Sequence, residues 1–212
     1  MIVRVTEVLR WAEAGDAKHM KPVPPRVAVL GENGTGVHDL IQFRLYNSPV
    51  GDVADKLKLG LRAWNDWAEL NPWIFESGLV EQTVTQDMGG WAIKGKWDCS
   101  VVPRMLDWKT GKPYWWHRWQ VNKYANLHNI HFPTDPPITE VVLLYLNMQT
   151  GQWVEHKWPY SDNLTVAFDG LAVAYKERRY GDNGTADGED GTGKVVDSTE
   201  ILDDRAWGNR EV

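Results

Sequence analysis

Two carboxylates and an ammonium lie close together in GKWDCSVVPRMLDWKTG: Asp98, Asp107 and Lys109. Asp107 and Lys109 are two apart in the run RMLDWK, so on a strand their side chains leave the same face while Trp108 leaves the other. Asp98 falls near the end of the preceding strand-like run, and antiparallel pairing across VVPRM would bring it towards Asp107. Two carboxylates beside a lysine suit phosphodiester hydrolysis. A hard cation such as Mg²⁺ takes carboxylate oxygens together with water and substrate phosphate, and the lysine orients or helps deprotonate the attacking water. On the DxK spacing alone, a surface Asp–Lys pair is the plainer reading.

These residues need a sheet to hold them. LVEQTVTQ, GWAIKGKWDCSVV and RMLDWK are short, rich in Val, Thr, Trp and Ile, and parted by Gly or Pro turns, the pattern of three strands in a meander. PYWWHRWQVNKYANLHNI has helical length and periodicity, EVVLLYLNM suits a buried strand, and QWVEHKW pairs with it as a hairpin after the turn at Gly151. A helix from about Asp162 to Arg179 follows.

Upstream, Thr6 before EVLRWAEA has the character of an N-cap on a short helix ending near Gly15, and the segment to Pro25 that of a loop. A second helix is expected after the glycines of GENGTGVHDLIQF. In DVADKLKLGLRAWNDWAEL, the spacing of Val53, Leu57, Leu61, Trp64 and Trp67 marks one helical face. The order helices, three strands, helix, two strands, helix predicts an α/β fold with a mixed central sheet flanked by helices. One domain over 1–180 is expected, with a helical part to about 72, a sheet core over about 75–158 and a closing helix over about 162–179.

In sequence, Gly95 to Asp98, then Asp107 to Gly111 (Asp-x-Lys-Thr-Gly), then Gln120 with Tyr124 resemble the RecB-like branch of the PD-(D/E)XK nuclease superfamily, over about residues 80–130. The resemblance implies a restriction-endonuclease-like core (αβββαβ) and a Mg²⁺- or Mn²⁺-dependent deoxyribonuclease, with Asp98 and Asp107 on metal and Lys109 placing the water. Gln120 and Tyr124, four apart on one helix face, would support substrate or site geometry, or tie the helix to the sheet. GTGVHDL resembles the element that carries an upstream histidine ligand, which gives His38 that role, and Glu81 resembles the acidic residue some members use near the metals. Trp97 stands where the motif's proline would precede Asp98. Stand-alone members of this kind are often exonucleases, many from phages, that process DNA ends in recombination or repair. DNA is then the substrate and a single-strand annealing protein a partner; a structure-specific or restriction-type endonuclease, or a non-catalytic nucleic-acid binder with the same fold, are the alternatives.

Composition sets the outer limits. One cysteine, Cys99, leaves no internal disulfide and no four-cysteine zinc or iron–sulfur site within one chain. There is no run of apolar residues long enough to span a bilayer and no signal-peptide pattern, so a cytoplasmic location is expected, and Asn33, Asn163 and Asn183 in Asn-x-Thr triplets read as turn and cap chemistry. The net charge of −6 resides wholly in residues 181–212, an acidic, Gly- and Asp-rich tail expected to be disordered. The balanced body can still carry a basic groove, with Arg44, Arg62, Lys94, Lys96, Arg104, Arg118, Lys123, Arg178 and Arg179 available. Of thirteen tryptophans, exposed ones could stack on bases, though packing is the plainer role for each. His128 and His131 are given no role, and the oligomeric state is left open.

Overall fold

Alternation of apolar side chains along two central strands gives this chain two cores, one on each sheet face. The computed structural model describes residues 1–14, 25–76 and 78–181. In chain order the elements are β1 (Ile2–Arg4), α1 (Val5–Ala14), α2 (Pro25–Leu45), α3 (Asp55–Leu70), a 3-10 turn (Pro72–Phe75), β2 (Leu79–Val80), β3 (Thr83–Asp87), β4 (Ala92–Lys96), β5 (Cys99–Val101), β6 (Arg104–Lys109), α4 (Trp116–His131), β7 (Glu140–Leu146), β8 (Trp153–Pro159) and α5 (Asp162–Tyr180). A five-stranded sheet runs β2-β5-β6-β7-β8 and a three-stranded one β1-β4-β3. The larger sheet is mixed, since β6 and β7 pair in parallel across α4 while the other pairs are antiparallel.

Val141, Leu143 and Tyr145 of β7 join Met105 of β6 in a core shared with α1, α4 and α5. Val142, Leu144 and Leu146 join Leu106 and Trp108 in a second core shared with α2 and α3. Period-two alternation of this kind, apolar on both faces, is what a strand covered on both sides requires. The α/β architecture expected from the sequence, a mixed sheet flanked by helices, is therefore found.

Three local expectations are corrected. The first helix starts at Val5, one residue before the expected cap Thr6, and is preceded by β1, which pairs in parallel with β4. The second helix does not wait for the glycines but runs through them. A Cβ on Gly34 would lie 2.6 Å from the Thr110 hydroxyl oxygen, and one on Gly36 would lie 3.0 Å from Leu57. These glycines serve close approach to β6 and α3, which outweighs a propensity cost of about 1 kcal/mol each. The expected meander of three strands is five strands split between two sheets. The β2–β3 and β4–β5 ribbon bends where Glu81, at φ 56°, and Asp98 meet, held by Glu81 N–H donating to the Asp98 carbonyl at 2.9 Å.

Asn33 lies within α2 and Asn163 in the first turn of α5, where Ser161 is the cap, so neither makes the turn expected of it. The expected loop before Pro25 and the acidic tail beyond Gly181, with Asn183, lie outside the described residues. Among the described residues, no helix is long and apolar enough to cross a membrane.

Candidate active site

Strand register draws the acidic residues into a row. β5 pairs β6 with Cys99 opposite Leu106, and β2 pairs β5 with Val80 opposite Cys99. One residue further along, the same registers set Asp98 opposite Asp107 and Glu81 opposite Asp98. Three carboxylates thus stand side by side, Asp107 on β6 and Asp98 and Glu81 at the ends of β5 and β2, a placement like charges disfavour unless cations intervene. Two lysines flank the row: Lys109 pairs with Asp107 and Lys96 with Glu81.

The close approach of α2 at Gly34 and Thr110 brings the next turn of the helix over the site. There His38 Nδ1 lies 3.3 Å from Asp98 Oδ1. The other oxygen, Asp98 Oδ2, accepts the Trp108 backbone N–H at 2.8 Å, which fixes the carboxylate's orientation. One ligand atom each from His38, Glu81 and Asp98 lie within 4.8 Å of one another. Asp107 stands beside this trio, with Oδ2 turned to Lys109.

Electrostatics separates the two aspartates. Burial pushes Asp107 up to about 6, with Asp98 adding to the rise against the pull of Lys109. Burial acts on Asp98 in the same direction, but His38, Lys109 and the Trp108 N–H overcome it and hold the group below its ordinary value. His38 is raised: burial works against its charged form, and Asp98 more than compensates.

Gln120 Nε2 donates to the Tyr124 hydroxyl at 2.8 Å, and both side chains are buried. Tyr124 is raised far above its ordinary value, by burial first and then by Asp107, which sets its ring close to the acidic row. The hydrogen bond lies within α4, and Tyr124 and Leu127 pack the helix on the sheet where Gly95 allows it: a Cβ there would lie 2.4 Å from Leu127 and 3.2 Å from the Tyr124 ring. Gly95, the first residue of the Gly-x-x-Asp motif, is therefore a packing requirement.

Sequence reasoning missed His117 and Tyr145. His117 Nδ1 and the Tyr145 hydroxyl are 2.9 Å apart, and Tyr145 is the β7 residue opposite Lys109. Their separation of 28 residues left no local motif to find. Burial, with Lys109 second, pulls His117 down to about 3. The unfolded histidine binds a proton near pH 6.5, so the folded state excludes that proton and stability falls as pH drops from 6.5 towards 3. The slope is about 1 kcal/mol per pH unit. His117→Gln should flatten this loss; urea unfolding of both proteins at pH 7.5 and 5.5 measures it, and parallel pH dependence would remove His117 as its source.

Several other expectations change. Three of the candidate basic residues are engaged with carboxylates: Lys96 pairs with Glu81, Lys123 is fully buried on Asp169, and Arg104 pairs with Glu140. No described tryptophan is exposed, so base stacking by an exposed tryptophan finds no support in the described residues. His128 packs against Trp97 and Phe132, and His131 contacts the Leu127 and Thr85 carbonyls, both in structural roles.

Glu81 occupies the left-handed region at φ 56°, a conformation that costs a non-glycine residue about 1 kcal/mol or more. Asn tolerates that region without supplying a carboxylate. Glu81→Asn should therefore unfold within about 1 kcal/mol of the native protein while binding Mn²⁺ several-fold more weakly in a calorimetric titration. Unchanged Mn²⁺ affinity would exclude Glu81 from the ligand set.

No family model matches the chain, and no curated protein matches it. Solved structures do. The crystal structure of a candidate exonuclease from Eubacterium rectale superposes with a TM-score of 0.54 at 14% identity, over 82% of this chain and 79% of that one. An alkaline exonuclease from Laribacter hongkongensis matches at 14% identity over 82% of this chain and 84% of that one, with a TM-score of 0.35. At such identity the likeness is one of fold, and it is the first of the two that carries it: a mixed α/β architecture that fits a restriction-endonuclease-like core.

Proposed function

We propose that this chain is a metal-dependent deoxyribonuclease that hydrolyses phosphodiester bonds, acting from DNA ends. The observation that carries the reading is the convergence of Glu81, Asp98 and Asp107 at adjacent strands, with His38 above them and Lys109 beside them. A structural role gives no reason to place three acidic side chains in one row and bury two of them, because each buried carboxylate costs stability.

The donor set fits a hard divalent cation: carboxylate oxygens and one imidazole, with the single thiol, Cys99, buried and held protonated by a shift up to about 12. Asp98, Glu81 and His38 would hold Mg²⁺ or Mn²⁺, with Asp107 completing the set. Bound there, the cation supplies a lowered pKa for water and charge neutralisation at the scissile phosphate.

The protein's own groups do the positioning. The Trp108 N–H and His38 hold Asp98 in one orientation. Asp107 anchors the Lys109 ammonium, whose remaining protons can orient the attacking water and face the non-bridging phosphate oxygens. Water oxygen bonds to phosphorus, the bond to the leaving oxygen breaks, and the water's proton is accounted for on the departing hydroxyl. Action at ends rests on the exonuclease name carried by the Eubacterium rectale protein; the product of resection would be a single strand, the substrate of an annealing protein.

End-labelled linear duplex and covalently closed circular DNA, incubated with the full chain in Mg²⁺ and in EDTA, test this. Loss of the linear substrate alone, only in Mg²⁺, is the expected result. Cleavage of both forms would make the protein an endonuclease, and cleavage of neither would leave a nucleic-acid binder.

A further inference from the structure

Beside the acidic row opens a cleft of about 1540 Å³ that the site chemistry does not use. It starts at Thr110 and Gly111, the residues directly after Lys109, and is walled by Tyr145 on one side and by α3 on the other. Its volume exceeds the roughly 300–1,000 Å³ of a small-molecule pocket, so it suits an extended ligand.

Its side chains specify a polyanion. Lys56, Arg62 and Lys112 line it against a single acid, Asp66. Arg62 pairs with that acid at 3.6 Å, while Lys56 and Lys112 are exposed and engage no acidic partner among the described residues. Spare cations in a concave wall attract phosphates. Next to Lys112, Tyr114 is 43% exposed, and its ring is backed by Trp116, stacked at 5.7 Å and 18°. His117 meets the same ring edge-on at 5.4 Å. A half-exposed ring braced by two others is a platform for a base, and a base can use it only when it is not already stacked inside a duplex.

We propose that this cleft holds single-stranded DNA of several nucleotides, with Lys56 and Lys112 on the phosphates and a base stacked on Tyr114, so that the strand is threaded to the acidic row from the α3 side. The proposal rests on the nuclease reading for the strand's destination, but binding in the cleft can be measured without cleavage.

The probe is fluorescein-labelled oligo-dT of twelve nucleotides, followed by anisotropy with the full chain in EDTA. Lys56→Glu with Lys112→Glu should weaken binding at least tenfold and lower the salt slope by about 1.4, the value for two single-strand phosphate contacts. Tyr114→Ala should weaken it about tenfold, and melting temperatures of these surface variants should match the native protein. If the native chain cleaves nothing but the cleft variants still lose oligo-dT, the nuclease reading fails and the cleft assignment stands. Native-like affinity in both cleft variants, or tighter binding of a duplex of equal length or of oligo-U, would overturn the assignment.

Discussion

Lys109→Ala should lower Mg²⁺-dependent DNA cleavage by about 10³-fold or more, a loss in the range seen when a group that places a proton or faces developing charge is removed. The substitution takes away no metal ligand, so Mn²⁺ affinity should change little. Nor should the fold be lost. Asp107 would be left without its ammonium, yet a carboxyl already pushed up to about 6 by burial can hold a proton, which limits the damage to about 1–2 kcal/mol at neutral pH. Cleavage rate, urea unfolding and Mn²⁺ titration on the same preparation separate these effects. A folded Lys109→Ala protein that cleaves at the native rate would sink the role given to Lys109.

Asp107→Asn should abolish cleavage and at the same time stabilise the metal-free protein at pH 8. The folded pKa of Asp107, about 6, lies above the ordinary 3.8. A carboxyl raised in this way contributes stability below pH 3.8 that is lost as pH climbs through 6, and above that it is a fixed burden. One pKa unit corresponds to about 1.4 kcal/mol, but Asn also strips Lys109 of its partner. A net gain of about 1 kcal/mol in urea unfolding is expected at pH 8, shrinking as pH falls towards 4. Mg²⁺ should then raise the native melting temperature more than that of Asp107→Asn, by the linkage between binding and folding. A variant less stable than the native protein at pH 8, in EDTA, would mean that the Asp107–Lys109 pair is a net stabiliser and not a strained site.

Alternation and register were enough to place Asp107, Lys109 and Asp98, because a side chain's face on a strand and its partner across a turn follow from counting residues. The same counting placed α3, α4 and the β7–β8 hairpin. What escaped it was set by contacts distant in sequence. Gly34 and Gly36 look like helix breakers until Thr110 and Leu57 are seen to need the space. The bend at Glu81 and Asp98 lies in two ordinary strand-like runs, and nothing in LVEQTVTQ signals that its third residue turns the ribbon into a second sheet. The described tryptophans illustrate the limit from the other side: their chemistry permits stacking on bases, and only their packing in and against the two cores shows where they are used. Tyr114, inconspicuous beside three tryptophans, is an aromatic residue left half-exposed beside the cleft.

The most direct test of the acidic row as a metal site is a Mg²⁺ titration of chelator-stripped native chain and Asp98→Asn, with cation binding followed by calorimetry and cleavage of linear DNA followed in parallel. In the native chain cleavage should rise with occupancy from zero in EDTA, and in folded Asp98→Asn both should be lost over the same Mg²⁺ range. Cleavage by the native chain in EDTA, or full Mg²⁺-dependent activity in Asp98→Asn, would contradict it.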